Sequence, residues 1–266
     1  MLKFPRYLWV NKELCWQLGK RDVLSRYRGS YLGLSWSIMN PLLMLIVYTF
    51  VFSQVFKTRW GSLGTDSPWI FAINLFAGLI VFNIIAESAN KAPTLILSNP
   101  NYVKKVIFPL EILGVVSVIG AIFHGLMSLG VLLCFNILIF GHLPITTLLL
   151  PLIWIPLVLG CLAISWLLSA LGVFFRDINQ MIATLVSMLM FLSPVFYPLS
   201  AVPKSFQWFL AINPLAIAIG QTREALILGK HPSLLVYSAE IIMSVAVCEI
   251  FFRIFQRVKP TFSDFL

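Results

Sequence analysis

The sequence predicts an all-α integral membrane protein with six transmembrane helices, an N-terminal amphipathic interface helix and two short re-entrant or interfacial helices before the last span. Three observations carry this prediction. Of the 266 residues, 59% are hydrophobic and only 11% are charged, whereas a soluble domain carries about 25% charged residues. The charges lie between long uncharged runs, and a helix needs roughly 20 apolar residues to cross the hydrocarbon. The basic residues are also unevenly distributed. With six spans and an inner N-terminus, only Lys57, Arg59, Lys204, Arg223 and Lys230 fall in outer segments, leaving 14 of the 19 Lys and Arg inside. That is the bias expected of cytoplasmic loops.

The elements follow in order along one transmembrane domain, 1–266. Residues 1–30 contain "PRYLWVNKELCWQLGKRDVLSRYR", in which Trp9, Trp16 and Val23 recur every seven residues while Lys12, Lys20 and Arg21 lie elsewhere. Such a helix can lie in the interface with its tryptophans at headgroup depth and its cations toward anionic lipid. The first two spans are expected at 34–56 and 69–90. From Ile112 to Phe175 no residue is charged, a run too long for one crossing. A turn at Gly141-His142-Leu143-Pro144 divides it into spans at 109–140 and 147–175. The fifth span is expected at 178–197 and the last at 233–256.

Two connections stand out. Between the second and third spans, "KAPTLILSNPNYVKKV" contains Asn99-Pro100, which reads as a helix cap and first turn. The helix would span 98–106 and carry Tyr102, Lys104 and Lys105. Spacing alone fits a docking surface for a cytoplasmic partner and an ordinary interfacial loop equally. Between the fifth and last spans, residues 200–228 are apolar but punctuated by prolines. Asn213-Pro214 again looks like a cap, and Gly229 like a C-terminal stop. The two helices this allows are too short to cross, so they are expected to be re-entrant or interfacial. A seventh crossing would export the basic C-terminal tail against the positive-inside tendency. Both termini are therefore expected in the cytoplasm. On that topology Arg176 and Asp177 of "FFRDINQ" form a tight cytoplasmic turn and are not charges buried in lipid.

Composition and spacing argue against several functions. The basic residues lie in gaps between spans and form no domain of their own, which disfavours nucleic-acid binding. Cys15, Cys134, Cys161 and Cys248 are widely separated, so neither a disulfide framework nor a metal site is expected. A cleavable leader is not expected either, because Lys12, Glu13, Lys20, Arg21 and Asp22 interrupt the first apolar run. Gly229-Lys230 is followed by His231 where a phosphate-binding loop needs Ser or Thr. No nucleophile is paired with a base. His124 is expected to be a hydrogen-bonded core residue, Glu249 to pair with Arg253 one turn on, and Glu240 to be the acidic residue best placed to meet a substrate.

The chain resembles the membrane subunits of type-2 ABC exporters, in the polysaccharide and polyol-phosphate export branch. The resemblance rests on "KRDVLSRYRGSYLGLSWSIMNPLLMLIVYTFVF" (20–52), "SNPNYVKKVIFPLEIL" (98–113), "FFRDINQ" (174–180), "SPVFYPLSAVP" (193–203) and "INPL" (212–215), in the family's order. It implies a bacterial inner-membrane permease that is not itself an enzyme and holds no cofactor. Two copies would work with two cytoplasmic ATPase subunits that bind ATP and Mg, and would export a lipid-linked polysaccharide such as O-antigen, capsule or teichoic acid. The resemblance assigns ATPase docking to Asn99, Pro100, Tyr102, Lys104 and Lys105. Arg176 and Asp177 either contact the ATPase or brace their turn. Trp9, Trp16, Lys20 and Arg21 would serve the interface helix, and the short helices at 200–228 would be re-entrant gate helices. Sugars stack their C–H faces on aromatic rings, so Tyr48, Phe52, Phe191, Phe196 and Tyr197 are candidates for the translocation path. Two alternatives share features of the layout: a permease of the same family for a drug or small lipid, and a membrane-embedded glycan-modifying enzyme.

Overall fold

The structure, a computed structural model, describes residues 3–51, 68–104 and 108–265. Phe52 and Lys105, two of the expected site residues, lie outside the described residues.

The N-terminal segment forms two helices, α1 (Phe4–Val10) and α2 (Lys12–Tyr27). They are separated at Asn11, whose side-chain amide donates back to the Tyr7 carbonyl at 2.9 Å, the local competition that makes Asn a poor interior helix residue. The break corrects the expectation of one helix with a seven-residue stripe. Val23 is buried with Cys15 and Gly19, four residues apart along α2, whereas Trp9 and Trp16 are 73% and 67% exposed. The buried stripe faces α6 (Glu111–Phe140). There a Cβ on Gly19 would stand 2.8 Å from Ile119 Cγ2, so glycine sets how closely the two helices approach.

The remaining elements are α3 (Trp36–Phe50), α4 (Pro68–Lys91), α5 (Pro100–Lys104), α7 (Leu150–Ile153), α8 (Ile155–Phe174), α9 (Ile178–Leu192), α10 (Lys204–Ile212), α11 (Pro214–Arg223), α12 (Leu234–Val258) and α13 (Phe262–Phe265). Among the described residues, five stretches are long and apolar enough to cross a membrane: Gly33–Phe50, Trp69–Thr94, Glu111–Phe140, Ile145–Phe174 and Leu234–Phe265. The expected fifth span is shorter than foreseen. Helix α9 has 15 residues, about 22 Å of rise against a hydrocarbon core of about 30 Å. It stops at Leu192 because Ser193 precedes Pro194 and takes an extended conformation, as steric clash with the proline ring requires. The expected fourth span bends at Trp154, between Pro151 and Pro156, which divides α7 from α8.

Helix α4 is the axis of the bundle. Every residue from Phe71 to Phe82 is buried, and α3, α6, α8, α9 and α11 pack around it. In lipid, burying apolar surface gives little net gain, so close packing and hydrogen bonds must hold the helices together. Small residues provide the approach: a Cβ on Gly125 of α6 would stand 2.6 Å from Ile84 Cδ1 of α4. Buried polar groups provide the bonds. Trp166 of α8 is fully buried, donates its indole N–H to the Glu111 carbonyl at 2.9 Å, and meets Phe252 of α12 edge to face at 4.8 Å.

Candidate functional site

Four chain segments converge on one end of the bundle. Pro100 opens α5, but the Asn99 side chain donates to the Leu95 carbonyl at 2.9 Å, closing the preceding turn. The Tyr102 ring stacks on Phe108 at 4.4 Å, and its hydroxyl accepts from the Arg21 guanidinium at 3.0 Å. Lys104 is exposed. The turn holding Arg176 and Asp177 lies beside the connection into α5, because Gly172 meets the Pro93 carbonyl where any Cβ would collide. Both charged residues are exposed, and the Asp177 carbonyl starts α9 by accepting from the Gln180 and Met181 amides. Phe174 packs against Phe262 and Phe265 of α13. The N-terminal helices, α5, the 175–177 turn and the C-terminal helix thus share one end.

The N-terminal helices are fixed to the bundle by charge. Glu249, which pairs with Arg253 at 2.6 Å as expected, also accepts from the Lys3 and Phe4 backbone amides at 2.9–3.1 Å. Glu111, 3% exposed, accepts from the Tyr7 hydroxyl at 2.7 Å and pairs with Lys259 at 2.9 Å. Asp22 pairs with Lys91 at 2.7 Å. Glu87 takes Arg26 at 2.6 Å and His124 at 2.9 Å, and the other His124 nitrogen meets the Tyr27 hydroxyl at 2.9 Å. His124 is therefore hydrogen-bonded, as expected, but it is half-buried in a cavity wall and not in the core. The roles of Glu87, Glu111 and Arg26 were not foreseen, because their partners lie 37 to 148 positions away. The only sequence signal was a charge bordering an apolar run.

The opposite end carries the two short helices. Asn213 caps α11, its side-chain oxygen accepting from the Leu215 amide at 3.0 Å, and Gly229 ends the extension of that helix at φ +62°, both as expected. Helix α11 packs on α4. Its Thr222 hydroxyl accepts from the Trp154 indole at 3.1 Å, and the Ala225 carbonyl accepts from Thr146 at 2.6 Å. Arg223, read from the sequence only as an outer basic residue, is buried. It donates to the carbonyls of Asn74 at 2.8 Å, Pro194 at 2.6 Å and Val195 at 2.7 Å. One side chain thereby ties α11, α4 and the turn after α9 together. Glu240 accepts from Gln221 at 2.6 Å.

Of the expected path residues, Phe191 and Phe196 stack at 5.8 Å, and the Tyr197 hydroxyl donates to the Phe191 carbonyl at 3.0 Å. Phe191 is 70% exposed. Tyr48 lies in the wall of a cavity shared with Met190. Among the described residues no three His, Cys, Asp or Glu side chains come together as a metal site.

Apolar helices with small-residue contacts, charges spent on staples, and two short helices at one end define an all-α, multi-pass membrane protein. The chain belongs to the ABC-2 type transporter family, whose model matches residues 13–227. It is 27% identical over 252 residues, 92% of each chain, to the O-antigen export system permease protein RfbA of Klebsiella pneumoniae. It is 28% identical over 218 residues to the RfbA permease of Myxococcus xanthus, covering 81% of this chain and 80% of the relative. The polysialic acid transport protein KpsM of Escherichia coli is 24% identical over 216 residues, 79% of each chain.

Proposed function

We propose that this protein is the membrane half of an ATP-driven exporter that carries a lipid-linked polysaccharide out of the bacterial cytoplasm. Two copies would assemble with two cytoplasmic ATPase subunits in the inner membrane, both termini facing the cytosol. The observation that carries this reading is helix α5: a short exposed helix, braced by Tyr102 on Arg21, at the end where both chain termini and the 175–177 turn gather. The names of the relatives over nearly the whole chain point to glycan as the cargo.

The geometry supplies a route for coupling. A push on α5 reaches α2 through Tyr102 and Arg21. From α2 it reaches α4 through Asp22–Lys91 and Arg26–Glu87. Helix α4 holds α11 through the Asn74–Arg223 bond, and Arg223 holds the end of α9 through Pro194 and Val195. Displacement at the docking end would thereby shift the gate helices and the aromatic rim at Phe191, Phe196 and Tyr197.

Deleting the gene tests the reading. Lipid-linked glycan should accumulate inside the cell, and the chain should co-purify with an ATP-binding subunit. Changing Tyr102 and Lys105 to Asp should abolish that association. Normal surface glycan in the deletion strain would refute the export assignment, and retention of the partner by the double variant would refute the docking assignment.

A further inference from the structure

The bundle holds a cavity of about 620 Å³ at the docking half, walled by α2, α3, α4 and α6. This lies within the range of small-molecule sites, about 300–1,000 Å³. Three asparagines face it from two of the candidate membrane-spanning helices: Asn40 of α3, and Asn83 and Asn90 of α4. All three are exposed in the cavity, and among the described residues none of their amides has a hydrogen-bond partner. Asn74 of α4, which points elsewhere, satisfies its amide on the Ile70 carbonyl. Polar side chains in membrane helices are costly and mark places where water or a polar ligand is met.

We infer that this cavity is a sugar-binding subsite within each copy of the chain, in which Asn40, Asn83 and Asn90 hydrogen-bond hydroxyl groups of the exported glycan. The inference rests on the export reading and gives it a location. The chemistry favours a neutral, hydroxyl-rich ligand. The charged floor of the cavity is already matched, since Glu87 holds both Arg26 and His124, so neither an anion nor a cation finds an uncompensated opposite charge there. Each amide offers donors and an acceptor in the alternation a sugar hydroxyl needs. Trp36 and Tyr48 line the same space and can take the apolar C–H face of a ring.

The test places the photo-crosslinking residue p-benzoylphenylalanine at Asn83, at Phe191 and at Leu138, which is 82% exposed. Irradiation is carried out in cells making their own lipid-linked glycan, with detection by glycan stain. The inference predicts a glycan adduct at position 83 that is absent at 138 and absent in a strain unable to make the glycan. An adduct at 191 with none at 83 overturns the subsite and leaves the export reading standing. No adduct at either position, with normal surface glycan in the deletion strain, overturns both. Independently, Asn83→Leu with Asn90→Leu keeps the helix apolar and insertion-competent. It should slow glycan export by roughly fivefold or more, the effect of losing one or two hydrogen bonds to the substrate, while Asn83→Gln retains most of it. Export at the normal rate in the double Leu variant, at equal protein level, contradicts the inference.

Discussion

The Arg223 guanidinium donates to the Pro194 carbonyl at 2.6 Å, joining α11 to the proline that ends α9. Gly78 of α4 makes room for this contact, since a Cβ there would stand 2.6 Å from Arg223 Nη2. Replacing Arg223 with Met should leave the carbonyls of Asn74, Pro194 and Val195 without their donor. The expected cost is about 3 kcal/mol, from desolvated acceptors left unpaired. Thermal unfolding in detergent should show a lower Tm for Arg223→Met, with Arg223→Lys recovering part of the loss. An unchanged Tm for the Met variant would remove Arg223 from its role as a staple.

Close packing beside the connection into α5 makes a second prediction. Gly172→Ala drives a methyl into the Pro93 carbonyl on the connection to α5. It should cost about 2 kcal/mol through overpacking and weaken capture of the ATPase subunit. Gly160→Ala on the same helix meets nothing within 4 Å and should be neutral in both assays.

Alkaline unfolding tests the anchor at Tyr7. Burial first, then the hydrogen bond to Glu111, raises the Tyr7 hydroxyl well above its ordinary value of 10.0. A group that holds its proton more tightly when folded contributes its full stability below the unfolded pKa and loses it as pH rises. The wild-type Tm should therefore fall more steeply than that of Tyr7→Phe above about pH 10. Parallel slopes would contradict the anchor.

At the extreme N-terminus, Glu249 accepts from the Lys3 and Phe4 amides. Glu249→Ala should free α1, accelerating limited proteolysis between residues 4 and 11 by about tenfold. That corresponds to roughly 1.4 kcal/mol, at the low end for hydrogen bonds to a charged group. Unaltered cleavage would show that α1 is held by its apolar contacts alone.

How much of this was legible in the sequence depended on whether the signal was local. The cap at Asn213, the stop at Gly229, the turn at Gly141 and the (i, i+4) pair at Glu249 and Arg253 are short-range events, and the structure has them where residue order indicated. The end of α9 was also local, but the proline rule acts on the preceding residue, and the apolar run beyond Ser193 hid it. The N-terminal stripe failed because a seven-residue recurrence assumes one unbroken helix, and Asn11 resets the phase. Arg223 could not have been found from spacing: its three described hydrogen-bond acceptors are main-chain carbonyls, which no side-chain pattern records. The Arg26–Glu87–His124 cluster spans three helices far apart in sequence. Of the site residues, Tyr102 and the 175–177 turn come together at one end, and Phe191, Phe196 and Tyr197 form one rim. Tyr48 lines the asparagine cavity.

The account depends most on which end of the bundle faces the cytosol. In a variant lacking the four native cysteines, single cysteines at Lys104 and at Lys230, both exposed, are treated in intact cells with a membrane-impermeant maleimide. The account predicts labelling at 230 from outside, and labelling at 104 only after the membrane is opened. Labelling at 104 in intact cells, with 230 protected, would place the docking helix outside and contradict it.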